Sequence, residues 1–376
     1  MKNQVILVSL DGMPAEVFKN AWEYHGSDIH VQELWTVYPS ITVPAHVSIL
    51  TGKTPEEHGI MENLVIEGPG YEKVSLYHPT KEEAMRIMPQ DTIVHEFAAK
   101  GLKCGSINWP LGDGLPGENH SEDLTTHEEA SGVRAAREKD KHAIELLKRE
   151  METGDKDFIA AHFEEYDGAA HIYGVDADRT REACDHMIAY TKELVEAAKK
   201  YGIEKLIFFS DHGMLDKEEN FFPNVYVKEH GYEEEIARRQ IYFLSDGSGC
   251  MQFYSGLSEE KNTAIVQCLR ESGRIEKVLW LEGEAAGEED KKLRRPRAIL
   301  EMCAGGCSED ILDREEEKYH EMKGLHGYDP EHIREMNGFF LAYDPGNRLS
   351  LKGGKLKITD IPPMIKTLVM EGRTER

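Results

Sequence analysis

Five short stretches of this 376-residue sequence combine acids, imidazoles and a hydroxyl at spacings that suit a divalent-metal centre. In Ser9-Leu10-Asp11-Gly12 an apolar run ends in a carboxylate followed by the residue best able to turn sharply, although Asp-Gly is also an ordinary turn. In Pro39-Ser40-Ile41-Thr42-Val43-Pro44-Ala45-His46, Pro44 suits the first turn of a helix, which places Thr42 just before that helix. A hydroxyl there faces the positive dipole end and free backbone N–H groups, an environment that stabilises an alkoxide and an incoming phosphate; it is equally the position of a plain cap. Asp167 and His171 are four residues apart, which on one helical turn brings both side chains within reach of one metal. Asp211 and His212 follow the buried run Phe208-Phe209, where folding rarely needs an adjacent acid and imidazole. His326 lies in Gly324-Leu325-His326-Gly327-Tyr328, whose glycines permit a backbone path close to a ligand.

The elements that must position these residues read as an α/β fold, a mostly parallel central sheet covered by helices, because short apolar or β-branched runs alternate with longer amphipathic stretches. Buried strands are expected at Val5–Leu10, Cys104–Asn108, Phe158–Phe163 and Leu206–Phe209, with the candidate ligands at or just beyond their ends, where open α/β sheets hold ligands. Between the last two, Cys184, Met187, Ile188, Thr191, Leu194, Val195 and Ala198 recur at helical steps and Gly202 supplies a stop, so Cys184 belongs to the core. Residues 216–321 differ, with charge clusters such as Glu233-Glu234-Glu235 and Lys291-Lys292-Leu293-Arg294-Arg295. Strand-like pieces at Gln252–Tyr254 and Val278–Leu281 and a helix near 258–272 mark this stretch as a smaller inserted cap on a core formed by residues 1–215 and 322–376. The core then resumes with a strand at Gly338–Tyr343 and a closing helix at Ile361–Met370.

Composition narrows the function. Forty-five basic residues against 70 acidic ones give a net charge of −25, which opposes general binding to nucleic-acid polymers or anionic membranes but allows a small phosphorylated substrate if metal ions reverse the local field. No apolar run approaches the roughly 18 residues of a membrane helix, and the N-terminus lacks a secretory h-region, so a cytoplasmic protein is expected. The six cysteines are scattered, consistent with free thiols in a reducing compartment. Oligomeric state is not readable from the sequence.

The ordered set of segments resembles the alkaline phosphatase superfamily, in particular its nucleotide pyrophosphatase/phosphodiesterase branch. The branch's Pro-Thr-x-Thr-Phe-Pro-Asn-His stretch is similar to Pro39–His46; Thr51-Gly52, Pro55, His58-Gly59-Ile60, Asp167 with His171, Asp211-His212-Gly213-Met214 and His326-Gly327-Tyr328 follow at matching spacing, over Val5 to about Phe340. The resemblance implies a three-layer α/β/α sandwich with an inserted cap, Thr42 as nucleophile and Asn63 as a donor to a phosphoryl oxygen. It places one metal on Asp11, Thr42, Asp211 and His212 and another on Asp167, His171 and His326. Four hydroxyl or carboxylate donors and three imidazoles independently suit two borderline divalent ions, zinc first, with manganese also compatible. Two such ions would stabilise attacking and departing oxygens while Thr42 carries the phosphoryl group. Met13 and Pro14 stand where the branch has an Arg, Val43 replaces an aromatic, and Leu64–Gly70 replaces an Asp-Pro motif, so the nucleotide-binding surface is expected to differ. Trp109 either borders a leaving group or packs in the core.

These features favour a hydrolase of phosphodiester or pyrophosphate bonds. A phosphomonoesterase or phosphonate hydrolase of the same superfamily would need added cations around the phosphoryl oxygens, and the metal motifs contain no Lys or Arg. A metal-binding relative without turnover would have lost the nucleophile or a ligand, whereas every expected position is filled.

Overall fold

A computed structural model describes residues 2–22, 28–68, 71–122, 129–282, 293–314, 322–349, 351 and 354–371. Lys291 and Lys292 of the basic cluster lie outside them. The main sheet has eight strands in the order Leu356–Lys357, Ile29–Trp35, Gly338–Tyr343, Ile203–Phe209, Lys2–Leu10, Phe158–Phe163, Cys104–Ile107 and Glu118–His120. Gly338–Tyr343 runs antiparallel to both of its neighbours and all other neighbouring pairs are parallel.

The apolar runs fold as central strands because both of their faces are covered. Along Lys2–Leu10, Val5 and Leu7 enter one core, packed on the helices Thr42–Thr51, Ile93–Ala99 and Ile361–Glu371. Ile6, Val8 and Leu10 enter the other, with Ala15–Trp22, Glu129–Thr153 and Asp178–Tyr201. This is the three-layer α/β/α sandwich. Cys184 is buried on the Asp178–Tyr201 helix, and Gly202 ends that helix at φ +74°, its N–H bonded to the Ala198 carbonyl.

Several boundaries differ from the sequence expectation. The strand expected from Leu206 begins at Ile203, that expected at Val278–Leu281 is Ile275–Trp280, and Gln252–Tyr254 is the middle of Cys250–Ser255. Within 216–321, Ile241–Leu244, Cys250–Ser255, Ala298–Met302 and Ile275–Trp280 form a four-stranded antiparallel sheet packed on helix Glu259–Glu271. The stretch leaves and rejoins the main fold side by side, since Leu215–Asp216 pairs antiparallel with Gly324–Leu325.

Candidate metal centre

At the C-terminal end of the central parallel strands a cleft of about 800 Å³ is lined by Asp11, Thr42, Asn63, Asp167, His171 and His326. Asp11 leaves its strand with its N–H on the Phe163 carbonyl. Gly12 then turns at φ +67°, where a Cβ would stand 2.9 Å from Asp167 Oδ1, and its N–H donates to Asp211 Oδ1 at 3.2 Å. A side chain at Gly12 would therefore push two candidate ligands apart. Asp211 and His212 follow Ile203–Phe209 after Ser210 and are fully buried. Asp167 and His171 share the helix Glu165–Tyr173, with His171 Nε2 3.3 Å from Asp167 Oδ2.

Thr42 is the first residue of its helix rather than the residue before it. Ile41, extended at φ −129°, is the cap, and the Ala45 N–H bonds its carbonyl to close the first turn. Pro44 is thus the third helical residue, where a missing N–H costs nothing. The Thr42 hydroxyl lies 3.1 Å from His212 Nε2. The adjacent Val43 N–H is not free, since it donates to Asn63 Oδ1 at 2.9 Å.

The three imidazoles are oriented alike. Nδ1 of His171 donates to the Gly324 carbonyl at 2.8 Å, that of His326 to Ser40 at 3.1 Å and that of His212 to Gly213 at 3.1 Å. In each ring a backbone carbonyl takes Nδ1 and leaves Nε2 as the nitrogen available to a metal, the arrangement of metal-binding histidines. Burial, reinforced by His212 and His171, holds His326 well below the ordinary imidazole pKa and so keeps it neutral. The carboxylates show the complementary strain. Asp11 Oδ1, Asp167 Oδ1 and Asp211 Oδ2 are buried without a hydrogen-bond partner, and burial with Asp211 and Asp167 nearby pushes the Asp11 carboxyl well above its usual range. Buried carboxylate oxygens without hydrogen-bond partners, grouped with imidazole nitrogens, fit divalent cations. The donor atoms fall into two overlapping sets, Asp11–Asp211–His212 and Asp167–His212–His326, each within 4.8 Å. His212 therefore stands between the two groupings expected from sequence.

Three contributors escaped the sequence reading. His162, the one polar residue within Phe158–Phe163, places Nε2 2.8 Å from Asp11 Oδ2 and Nδ1 3.2 Å from the Asn108 carbonyl, and burial pushes it down to about 3. Lys139 is the only Lys or Arg among the described residues that line the cleft; its ammonium is held by Glu164 Oε2 at 2.9 Å. Tyr77 reaches Asn63 through its hydroxyl. An imidazole set into an apolar strand was the only one of these signals visible in the sequence. Trp109 packs, its indole buried edge-on to His46 at 4.8 Å and tilted against Phe209 at 6.2 Å, and it also lines the cleft, a position compatible with both of its expected roles.

Fold and site together define an alkaline-phosphatase-type α/β/α protein. Over residues 5–329 the chain matches the type I phosphodiesterase / nucleotide pyrophosphatase family, and it belongs to that family. It is 28% identical over 231 residues to an uncharacterised pyrophosphatase/phosphodiesterase of Schizosaccharomyces pombe, covering 58% of this chain and 46% of the relative. It is 24% identical over 378 residues to a venom phosphodiesterase of Crotalus durissus collilineatus, covering 92% of this chain and 42% of that protein. The chain thus spans less than half the length of these relatives. Murine ectonucleotide pyrophosphatase / phosphodiesterase 5 superposes with a TM-score of 0.68 at 20% identity, covering 97% of this chain and 95% of that one. Phosphonoacetate hydrolase from Sinorhizobium meliloti 1021, in complex with phosphonoformate, gives a TM-score of 0.68 at 17% identity with the same coverage. No described helix is long and apolar enough to cross a membrane.

Proposed function

We propose that the protein is a metal-dependent hydrolase of small phosphodiesters or phosphoanhydrides that works through a covalent phospho-Thr42. The observation that carries the reading is that three unpartnered buried carboxylate oxygens, of Asp11, Asp167 and Asp211, belong to two donor sets that share His212, whose Nε2 lies 3.1 Å from the Thr42 hydroxyl. Family membership supports the reaction class, and the activities for which relatives are named, among them a bis(5'-adenosyl)-triphosphatase of Xenopus laevis that is 23% identical, agree with it. An inactive variant of the murine neighbour binds AMP, which fits a small nucleotide-like substrate.

Asp11, Asp211 and His212 with Thr42 would hold one divalent ion, and Asp167, His171 and His326 the second. Bound there, the ions would supply the positive charge that lowers the hydroxyl pKa and offsets charge on the reacting oxygens. Thr42 Oγ1 attacks phosphorus, the Oγ1–P bond forms as the P–O bond to the leaving group breaks, and water then cleaves Oγ1–P to free the enzyme. Asn63 uses one amide hydrogen to hold a phosphoryl oxygen in line, its own orientation fixed by the Val43 N–H on Oδ1. His46 supports the nucleophile from behind, donating from Nδ1 to the Thr42 carbonyl at 2.7 Å. The 216–321 segment is proposed as the cap that forms one wall, since Asp246, Gly247 and Ser248 line the cleft.

The test is a substrate panel of bis(4-nitrophenyl) phosphate, 4-nitrophenyl phosphate, a nucleoside triphosphate and a phosphonate, assayed with added zinc or manganese and after chelation. Metal-dependent cleavage of the diester or the anhydride is the expected result. A saturated protein that cleaves none of them overturns the reading.

A further inference from the structure

Asn63 and its surroundings leave a hydrogen-bond account that does not close within the protein. The Val43 backbone N–H can only donate, so the Asn63 atom it meets at 2.9 Å is the amide oxygen and the orientation of the amide is fixed. One of the two Nδ2 hydrogens then goes to the Tyr77 hydroxyl at 2.7 Å. Tyr77 accepts that bond, so its own hydrogen must point elsewhere, and among the described residues nothing accepts it. The second Nδ2 hydrogen is likewise unclaimed. Both residues line the cleft that Thr42 also lines.

The setting of Tyr77 is unusual for a structural tyrosine. It follows the hairpin Leu64–Glu67/Glu72–Ser75, its side chain is 50% exposed, and yet its hydroxyl reaches inward to Asn63, which is 2% exposed. Burial of the hydroxyl, followed by Asp246 and Glu62, pushes its pKa well above the ordinary value, so the group stays protonated and remains a donor. A ring at the mouth with a protonated hydroxyl at the floor contributes little packing and presents one directed O–H to whatever enters.

We propose that Tyr77 is a second catalytic donor to the scissile phosphoryl group, acting beside Asn63 on its non-bridging oxygens. The proposal rests on the phosphoryl-transfer reading above and adds a residue to it. Nδ2 and the Tyr77 oxygen, 2.7 Å apart, match the spacing of two oxygens on one phosphorus, so each donor can serve one oxygen or both can share one. Both are neutral, which stabilises the growing charge on a singly charged diester without requiring a dianion. The bond from Asn63 to the Tyr77 oxygen also polarises the phenol and strengthens its outward donation.

The test is a double-mutant cycle on the full-length, metal-saturated protein with Tyr77→Phe, Asn63→Ala and the double variant, read by kcat for bis(4-nitrophenyl) phosphate and by calorimetric affinity for inorganic phosphate. Tyr77→Phe keeps the ring and removes only the oxygen. It should lower kcat by roughly 10- to 100-fold, weaken phosphate binding and leave metal content unchanged. It should also still lower kcat at least several-fold when Asn63 is already Ala. Two results overturn the proposal: wild-type kcat and phosphate affinity in Tyr77→Phe, or no further loss in the Asn63→Ala background, which would make Tyr77 only a positioning residue for the amide. If the wild type binds phosphate in a Tyr77-dependent way but cleaves no panel substrate, the Tyr77 contact to a phosphoryl oxygen stands, while its catalytic role falls with the hydrolase reading. If the wild type neither binds phosphate nor turns over, both fall.

Discussion

At the scale of single residues, the proposed nucleophile Thr42 and the proposed ligand Asp211 can be told apart by substitution. Thr42→Ala removes one weak donor from a centre that keeps three carboxylates and three imidazoles, so metal content and folding should hold while turnover falls by roughly a thousandfold or more. Asp211→Ala removes charge that water cannot replace, and metal affinity measured by competition with a chelating dye should fall by more than about 100-fold. Retained turnover in Thr42→Ala would mean direct attack by water. A second residue-scale prediction concerns His58, which stands apart from the proposed ligands. The Ile60 N–H donates to its Nδ1, so Nε2 carries the proton and bonds Ser48 Oγ at 3.0 Å. A proton on Nδ1 would break that arrangement, and burial, with Lys53 adding to it, lowers the pKa from 6.5 to about 4. The unfolded chain therefore binds the proton first, and the stability that His58 contributes is present above pH 6.5 and lost as pH falls toward 4. Urea unfolding of His58→Ala should show a flatter pH dependence in that window than the wild type; equal slopes contradict the assignment.

At the scale of elements, the site depends on how the strand ends are held. Gly213, directly after His212, sits where a Cβ would stand 1.9 Å from the Glu335 carbonyl, and its N–H bonds the Met336 carbonyl at 2.9 Å. Neither neighbour is a flexible side-chain tip, so Gly213→Ala must displace the loop carrying Asp211 and His212. The metal-free variant should lose about 1–3 kcal/mol in urea unfolding and bind metal more weakly, and an unchanged midpoint would show that the loop adapts freely. The same comparison explains what the sequence disclosed. Strands such as Phe158–Phe163 were legible because burial on both faces demands an unbroken apolar run, and the Asp178–Tyr201 helix because one face repeats at helical steps. Ile29–Trp35 was missed because its polar alternation, Ile-His-Val-Gln-Glu-Leu-Trp, hides a half-buried strand among loop-like residues. The helix Glu129–Thr153, rich in Lys, Arg and Glu, carries Lys139 without any motif to announce it. Candidate ligands set at strand ends were readable one segment at a time, whereas Lys139 meeting Glu164 and Tyr77 meeting Asn63 are products of tertiary packing.

For the molecule as a whole, charge is the proposed selector of substrate. A chain of net charge −25 repels a second negative charge on a monoester unless a cation meets it. The sequence offered no such cation in the metal motifs. The structure supplies Lys139, but Glu164 neutralises it, so the cleft wall gains no net positive charge. With metal saturating, kcat/KM for an alkyl 4-nitrophenyl diester should exceed that for 4-nitrophenyl phosphate, and Glu164→Gln, which releases the ammonium, should shift the ratio several-fold toward the monoester. A wild-type monoester preference of tenfold, about 1.4 kcal/mol in transition-state binding, contradicts the diester reading and promotes the phosphatase alternative.

The central claim is that Thr42 carries the phosphoryl group, and the most direct measurement is to catch it there. The metal-loaded protein is mixed with a slowly turned-over aryl diester, quenched in acid within the first turnover, digested and examined by mass spectrometry. The account predicts a phosphoryl or phosphoester adduct on the peptide containing Thr42, forming with the burst of nitrophenol and absent from Thr42→Ala. A burst with the adduct on another residue, or first-turnover nitrophenol with no adduct on Thr42, would contradict it.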